Sequence, residues 1–210
     1  MINVKRLIVG QLKTNCYITY DDKSKNAVII DPGDDGDYII QIISDLGLMP
    51  TKIIATHGHF DHILAATELK LAYNIPFLMH KKDKFLLSRM MDSARHFLRV
   101  KTDPPPDVNF YLTEDQQIKI KNLKFEIIET PGHTPGSISL HDEINKFLFV
   151  GDLIFADGSF GRIDFNYSDK DALYKSIKKV LNLDDNTVVY PGHGEKIRVK
   201  DLKGIVKESQ

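Results

Sequence analysis

The sequence predicts an α/β fold in which two halves pack sheet against sheet. Short alternating or continuous apolar runs predict β-strands in both halves, and the first three are spaced as antiparallel hairpins. Runs with helical periodicity lie between and after the strands. This order of strands, helices, strands and a final helix is typical of two α/β layers in contact. The predicted strands are 5–9, 16–20, 27–30, 52–56, 77–79, 117–120, 124–130, 137–140, 147–150 and 187–190, and the predicted helices are 37–46, 63–73, 81–98 and 169–181.

A proline-rich segment marks the predicted boundary between the halves. Residues 102–107 include three consecutive prolines, which exclude a helix or the interior of a sheet. The chain has 210 residues, a length that suits one large domain. We therefore expect a single domain spanning 1–210, with halves at approximately 1–103 and 107–210.

The composition indicates which binding partners and which cell compartment to expect. The formal net charge is −1 and 42% of residues are hydrophobic, so we expect a soluble globular protein without a general attraction for nucleic acid or anionic membranes. The N-terminal residues predict a strand rather than a signal peptide, and no apolar run reaches membrane-spanning length. Cys16 is the single cysteine, and we expect it in the core of a cytoplasmic protein. The oligomeric state is left open.

One loop concentrates side chains that bind metals. His57, His59, Asp61 and His62 fall within six residues, between a predicted strand and a predicted helix. A straight strand cannot direct all four side chains to one ion, because alternate residues share a face and His62 breaks that alternation. In a turning loop two ions can share them. Imidazole nitrogen and carboxylate oxygen suit zinc and similar metals, so the sequence predicts a metal site here.

Three further candidate ligands, His133, Asp152 and His193, each follow the end of a predicted strand. Open α/β architectures gather functional groups at this position. In the Pro-Gly-His segments before the two histidines, proline ends the strand and glycine allows a tight turn. Asp31 also closes a strand. We consider two roles for it, a hydrogen-bond partner for the N–H of a metal-binding histidine or a cap of its own turn.

Together these residues resemble the full ligand set of the metallo-β-lactamase superfamily, in the family's order along the chain. The resemblance implies a four-layer αββα sandwich that binds two divalent ions, with zinc favoured and iron or manganese as alternatives. It also implies that Asp61 and Asp152 are the catalytic carboxylates, whereas His80, His96 and His141 match no ligand position. The implied ligands are His57, His59 and His133 for one ion, Asp61, His62 and His193 for the other, and Asp152 as the bridge.

The implied pair of ions defines a hydrolytic chemistry. Two such ions share a water and lower its pKa from 15.7 to ~7, which generates a bridging hydroxide as the nucleophile. One ion can also polarise a carbonyl and stabilise the oxyanion, so no serine or cysteine nucleophile is required. This chemistry serves thioesters, lactones, β-lactams or phosphodiesters. A thioester has a leaving group with a pKa of only ~8.5, which departs without a strong general acid.

The segment from Ser159 to Phe165 is the best indication of the substrate. It resembles the corresponding loop of glyoxalase II-like hydrolases and of persulfide dioxygenases, in which the residue matching Arg162 helps to bind a glutathione carboxylate. A guanidinium suits this task because its planar fork pairs with a carboxylate in a bidentate way. A local ion pair between Arg162 and Asp164 is the structural alternative, and both can hold.

We therefore expect a compact hydroxyacylglutathione hydrolase-like enzyme that cleaves an anionic thioester such as S-lactoylglutathione. The larger glyoxalase II type has an additional C-terminal helical domain with thiol-binding contacts, which this sequence does not contain. For this reason the resemblance does not determine which thiol the substrate contains, and coenzyme A or another small thiol is an alternative to glutathione.

Other functions of the same family are alternatives to the hydrolysis of a thioester. A persulfide dioxygenase would use a single Fe(II), held by the two-histidine-one-carboxylate set His57, His133 and Asp152. Ser159-Phe160-Gly161 departs from the Gly-Cys-Gly common in those dioxygenases, which favours the hydrolase. A lactonase or a nuclease is less favoured. A nuclease predicts a basic groove or a clamping domain, and the sequence indicates neither.

The predicted helix 81–98 has a basic face. The default interpretation is a solvated surface. The alternative is that the helix borders the mouth of the active site and attracts an anionic substrate. The sequence does not determine whether residues 92–110 close over the substrate. The basic residues are Lys81, Lys82, Lys84, Arg89 and Arg95.

Overall fold

Two six-stranded β-sheets form the centre of the fold. A computed structural model describes residues 1–208. The first sheet has the order β1-β2-β3-β4-β5-β6 and the second has the order β12-β11-β10-β9-β8-β7. The first-sheet strands are β1 (Ile2–Val9), β2 (Thr14–Asp21), β3 (Asn26–Ile30), β4 (Met49–Ile54), β5 (Phe77–His80) and β6 (Phe110–Leu112). The second-sheet strands are β7 (Gln117–Ile120), β8 (Leu123–Glu129), β9 (Ile138–Asp142), β10 (Phe147–Gly151), β11 (Val188–Pro191) and β12 (Ile197–Arg198).

Helices cover the outer faces of both sheets. Those of the first half are α1 (Gly36–Asp45), α2 (Ala66–Tyr73), α3 (Lys84–Leu87) and α4 (Met90–Leu98), and those of the second half are α5 (Lys170–Leu181) and α6 (Val199–Glu208). Within residues 1–208, none of these helices combines the length and the apolar character that crossing a bilayer requires.

Three apolar clusters show that the fold has four layers. One cluster lies between the first sheet and its helices, one between the two sheets, and one between the second sheet and α5 and α6. Strand β3 is buried on both faces, since Ile29 packs toward the helices and Ile30 toward the other sheet. The rings of Tyr17, Phe149 and Tyr190 pack against one another between the sheets, with centroids 5.0–5.4 Å apart. The predicted αββα sandwich is confirmed.

Strand direction brings the candidate ligand loops to one edge. Strands β1 to β3 are antiparallel hairpins, as predicted, whereas β3 and β4 run parallel and Ile30 pairs with Ile54. The loop after β4 therefore begins beside Asp31. In the second sheet β10 and β11 are also parallel, and Gly151 pairs with Pro191. This register places the loops that contain Asp152 and His193 side by side.

The structure differs from the sequence-based prediction in several short elements. Strands β6 and β12 and helix α6 were not predicted, because three and two residues are too short for a periodicity and the C-terminal segment reads as polar. The first sheet thus keeps one strand beyond the proline segment. The predicted helix 81–98 is divided into a 3₁₀ turn at Lys81–Asp83, then α3 and α4. Its expected apolar face is also incomplete, because Phe97 is 53% exposed.

The layer between the sheets should dominate the stability of the fold. Phe149 is fully buried there, so we predict that Phe149→Ala lowers the free energy of unfolding by ~3–5 kcal/mol. Phe110→Ala is the control, since this side chain is 61% exposed, and its effect should stay within about 0.5 kcal/mol. Urea denaturation measures both. Equal effects of the two substitutions would contradict the assignment of the inter-sheet core.

Candidate metal centre

The first ligand loop turns tightly after β4 and presents its side chains inward. A 3₁₀ turn at Phe60–His62 breaks the alternation of an extended chain. His57 and His62 are buried, whereas His59 and Asp61 reach the floor of an open cavity. The strand ends at Ile54, two residues earlier than predicted, so the whole of Thr56 to His62 belongs to the turning segment.

Three histidines from the two halves converge on one point. His57 Nε2 lies 3.2 Å from His59 Nδ1, and His133 Nε2 lies 2.9 Å from the same atom. Nitrogen ligands that surround one zinc ion at about 2.0–2.1 Å lie at similar mutual distances. The three ring nitrogens therefore form a group that could hold one ion, as the resemblance implied.

A second group lies beside the first. Asp61 Oδ2 is 3.7 Å from His62 Nε2 and 3.5 Å from His193 Nε2. These three residues also satisfy the geometry of a possible ion site. His193 comes from the loop after β11, which Asn15 ties to the first half by donating from its side-chain nitrogen to Gly194 O at 2.8 Å.

Asp152 lies between the two groups. Its Oδ2 is 3.7 Å from His133 Nε2, and its Oδ1 is 3.4 Å from His62 Nε2. Gly192 permits this close approach, since a Cβ there would lie 2.3 Å from Asp152 Oδ1. The structure thus brings all seven predicted ligands together, with the carboxylate in the position of a bridge.

The donor set fits divalent cations. His62 Nε2 and Asp152 Oδ1 are buried and have no hydrogen-bond partner within residues 1–208. Two such orphaned atoms facing each other are costly unless another group satisfies them. Imidazole nitrogens and carboxylate oxygens in this number are typical of zinc, iron or manganese sites, so the residues present fit the expected ions.

Outer contacts orient several of the candidate ligands. Asp31 Oδ2 lies 3.1 Å from His62 Nδ1, and the same carboxylate accepts hydrogen bonds from Thr56 N and Thr56 Oγ1 at 2.7 and 2.6 Å. These contacts match the first role considered for Asp31, whereas no hydrogen bond from its carboxylate to its own turn is found within residues 1–208. His133 Nδ1 donates to Arg162 O at 2.8 Å. Such contacts fix the tautomer and direct the other ring nitrogen at the ion.

The protonation states of His57, His59 and Asp152 suit cation binding at neutral pH. Burial lowers the pKa of His62, but the carboxylates of Asp152 and Asp61 outweigh it and raise this pKa well above its usual value, so His62 must release a proton to bind an ion. Burial lowers the pKa of His57 well below its usual value, and burial together with the neighbouring His133 lowers the pKa of His59 to about 3. Burial acts in the opposite direction on Asp152, but the positive charge of His62 outweighs it and holds the pKa of this carboxyl well below its usual range. The imidazoles of His57 and His59 are therefore neutral and Asp152 is ionised, as metal binding requires.

A cavity of about 530 Å³ opens above the candidate ligands. Helix α4 and the residue before it supply one wall through Arg89, Ser93 and Phe97, which recur every four residues. Arg162 and Tyr167 also line the cavity. The predicted basic helix therefore borders the site, although of its basic residues only Arg89 lines the cavity.

Arg162 forms the local ion pair that was one of its two expected roles. Its Nε and a terminal nitrogen donate to the two oxygens of Asp164 at 2.9 and 2.7 Å, and its guanidinium carbon lies 4.8 Å from the centre of the Phe165 ring. Arg162 is also one of the residues that line the cavity. This arrangement leaves its second expected role, binding a substrate carboxylate, as a prediction.

Sequence reasoning missed Tyr167. Its hydroxyl lies 2.9 Å from His59 Nε2, and burial raises the pKa of the phenol to about 12, so it stays protonated at neutral pH. When His59 Nδ1 serves as a metal ligand, Nε2 carries the ring proton and donates to the Tyr167 oxygen. In that tautomer the phenolic proton is not used in the contact with His59. No pattern in the sequence distinguishes this tyrosine from other loop tyrosines.

Residues 9–193 match the family model described as the metallo-beta-lactamase superfamily. The chain belongs to this superfamily. Hydroxyacylglutathione hydrolase GloC of Haemophilus influenzae is 36% identical over 195 residues, which cover 92% of this chain and 91% of that protein. Membership and the cluster of candidate ligands place the chain among metal-binding hydrolases of the metallo-beta-lactamase fold.

Solved structures of the superfamily share the whole fold. TTHA1623, determined in a di-iron-bound form, superposes with a TM-score of 0.85 at 32% identity and covers 96% of this chain and 97% of its own. ETHE1 from Myxococcus xanthus superposes with a TM-score of 0.81 at 25% identity and covers 97% and 83%. His80, His96 and His141, which matched no ligand position, also lie outside the possible ion sites found within residues 1–208.

Removal of one candidate ligand from each part of the centre should lower bound metal. We predict that His59→Ala and Asp152→Ala contain less metal than the unmodified protein by elemental analysis and lose turnover, because each loses a direct ligand. His96→Ala is the control and should keep its full metal content, since this exposed histidine joins no candidate group. Unchanged metal content in both ligand variants would contradict the assignment.

Proposed function

We propose that this protein is a dinuclear metal-dependent hydrolase that cleaves a small anionic thioester, such as an acylglutathione. The observation that carries the proposal is the convergence of two ligand groups on Asp152, in a cavity that Arg89 and Arg162 also line. The 36% identical relative named as a hydroxyacylglutathione hydrolase supports the same reaction class.

The bound ions, with zinc favoured by the donor set, would supply an activated water and polarise the substrate carbonyl. The protein's own part is to hold that reaction at the closed end of the cavity. Asp61 and Asp152 contribute the negative charge that balances two cations, and Asp31 keeps His62 in one orientation. Tyr167 lines the cavity, so its phenol can donate a hydrogen bond to the substrate when His59 Nε2 donates to the same oxygen.

The reaction needs no nucleophilic side chain. Water adds to the thioester carbonyl, the carbon–sulfur bond breaks, and the thiolate leaves with the electron pair. One proton of the water stays on the carboxylic acid, and the other passes to the solvent or to the thiolate. Cys16 takes no part, because it is completely buried in the core as expected and burial raises the pKa of its thiol. A thiolate departs without a strong general acid, which suits a cavity that the weakly acidic phenol of Tyr167 lines.

Two guanidinium groups are available for the anionic part of the substrate. Arg162 is paired with Asp164, whereas Arg89 has no carboxylate within 4 Å among residues 1–208 and lies over the Phe85 ring at 5.3 Å. Phe85 in turn contacts the ring of Tyr167. Both arginine side chains therefore lie on the side of the three-histidine group. We propose that the thiol part of the substrate, with its carboxylates, occupies this side.

Two reactions measured on one preparation of the protein test the proposed function. Release of thiol from S-lactoylglutathione and uptake of oxygen with glutathione persulfide are measured together with metal content. Thiol release without oxygen uptake is expected. Oxygen uptake without thiol release would contradict the hydrolase and select the second candidate.

The second candidate is a persulfide dioxygenase with a single Fe(II). The specific observation in its favour is that His57 and His133 lie beside Asp152, which gives a two-histidine-one-carboxylate face. The complete second group of Asp61, His62 and His193 favours the hydrolase, because a single iron leaves these three residues without a ligand role.

The two arginines should act on substrate binding. We predict that Arg89→Ala and Arg162→Ala each raise the KM for S-lactoylglutathione roughly fivefold, because exposed charge pairs contribute modestly. The ratio of this KM to the KM for the lactoyl thioester of the uncharged thiol N-acetylcysteamine should rise as well. The matched control is Arg95→Ala, since Arg95 lies on the same helix outside the cavity lining and should leave the ratio unchanged. A constant ratio in both cavity variants would exclude the proposed roles.

A further inference from the structure

Asp83 is a fully buried carboxylate that the proposed reaction does not use. It ends the 3₁₀ turn after β5, and no lysine or arginine within residues 1–208 lies within 4 Å of it. Burial raises the pKa of its carboxyl. A buried acid without an ion pair is costly, so its hydrogen bonds must offset that cost.

The hydrogen bonds of Asp83 reach two ligand loops from opposite halves of the fold. Oδ2 accepts from Gly58 N at 2.9 Å and from Thr134 Oγ1 at 2.6 Å, and Oδ1 accepts from Gly136 N at 2.6 Å. Gly58 separates His57 from His59, whereas Thr134 directly follows His133. The side chain of Asp83 is thus hydrogen-bonded to residues that directly adjoin every member of the three-histidine group.

The fit between these loops and Asp83 is close. A Cβ at Gly136 would lie 2.6 Å from Asp83 Oδ1, and a Cβ at Gly58 would lie 2.9 Å from Asp83 O. Glycine at both positions lets the two backbones approach one carboxylate. Thr134 is also fully buried, and its hydroxyl lies 2.7 Å from Ser137 Oγ, so its direction is fixed.

We propose that Asp83 is a positioning residue that holds the three-histidine group in its ion-binding geometry across the two halves. His57 and His59 belong to the first half and His133 to the second, so their spacing depends on how the halves meet. Asp83 fixes that spacing by accepting from both loops. The histidines are therefore arranged before an ion arrives, and less of the binding energy is lost in ordering them.

The test is the Zn²⁺ affinity of the full chain, measured by competition with a chelator after metal removal. In Asp83→Asn the amide replaces one acceptor by a donor that faces backbone N–H groups. We expect the tightest Zn²⁺ affinity to fall ~10–100-fold, the range found when residues that orient metal ligands are replaced. The Zn²⁺-induced rise in melting temperature should shrink in parallel.

Asp142→Asn is the matched control for loss of a buried carboxylate. Asp142 is 1% exposed and accepts from Asn145 N at 3.0 Å in the turn between β9 and β10. This variant should lower stability while keeping the Zn²⁺ affinity of the folded protein. An Asp83→Asn protein that folds and binds Zn²⁺ within twofold of the unmodified chain would overturn the proposal, as would an equal loss of affinity in the Asp142 variant.

A second pair of variants tests the proposal if Asp83→Asn does not fold. Thr134→Val keeps the volume of the side chain and removes the donor to Asp83, whereas Thr134→Ser keeps the hydroxyl. We expect several-fold weaker Zn²⁺ binding in the valine variant and near-normal binding in the serine variant. Unchanged affinity in Thr134→Val would overturn the proposal.

Discussion

The arrangement of the site depends on imidazoles and carboxylates in a largely buried space, where the ligand atoms of each candidate group lie within 4.8 Å of one another. His57, His59 and His133 direct ring nitrogens at a common point, and Asp152 faces His62 without a hydrogen bond to satisfy either atom. Such a concentration of lone pairs and charge is unfavourable in a protein interior unless cations balance it. Bringing these groups together therefore costs free energy locally, and a bound cation would offset that cost.

The cost is met by the way in which the two halves meet. Each half alone supplies only part of either ligand group, so the inter-sheet core around Tyr17 and Phe149 determines whether the groups exist at all. Polar contacts refine the match at the edge. Asn15 donates to the His193 loop, and Tyr17 donates from its hydroxyl to Pro191 O at 2.7 Å. The inter-sheet core stabilises the contact between the two halves, and these hydrogen bonds fix the position of the ligand loops.

Much of this could be predicted from the sequence because the ligands follow strand ends in a recognisable pattern. The hairpins, both sheets and all seven candidate ligands were predicted from local runs and spacing. Asp83 was not, although it too follows a strand, because the basic residues around it and the apolar spacing from Leu86 onward indicated an exposed helix. Tyr167 was missed because its role depends on a contact with His59 that lies 108 residues away in sequence. A long-range contact made by a single polar side chain produces no periodic pattern in the sequence.

The central claim is that residues of both halves hold cations jointly around Asp152. Anomalous diffraction from crystals of the zinc-loaded protein tests it most directly. The account predicts two peaks, one within about 2.0–2.2 Å of ligand atoms of His57, His59 and His133, and the other at the same distance from Asp61, His62 and His193. A zinc-loaded crystal with no peak within bonding distance of these residues would contradict it.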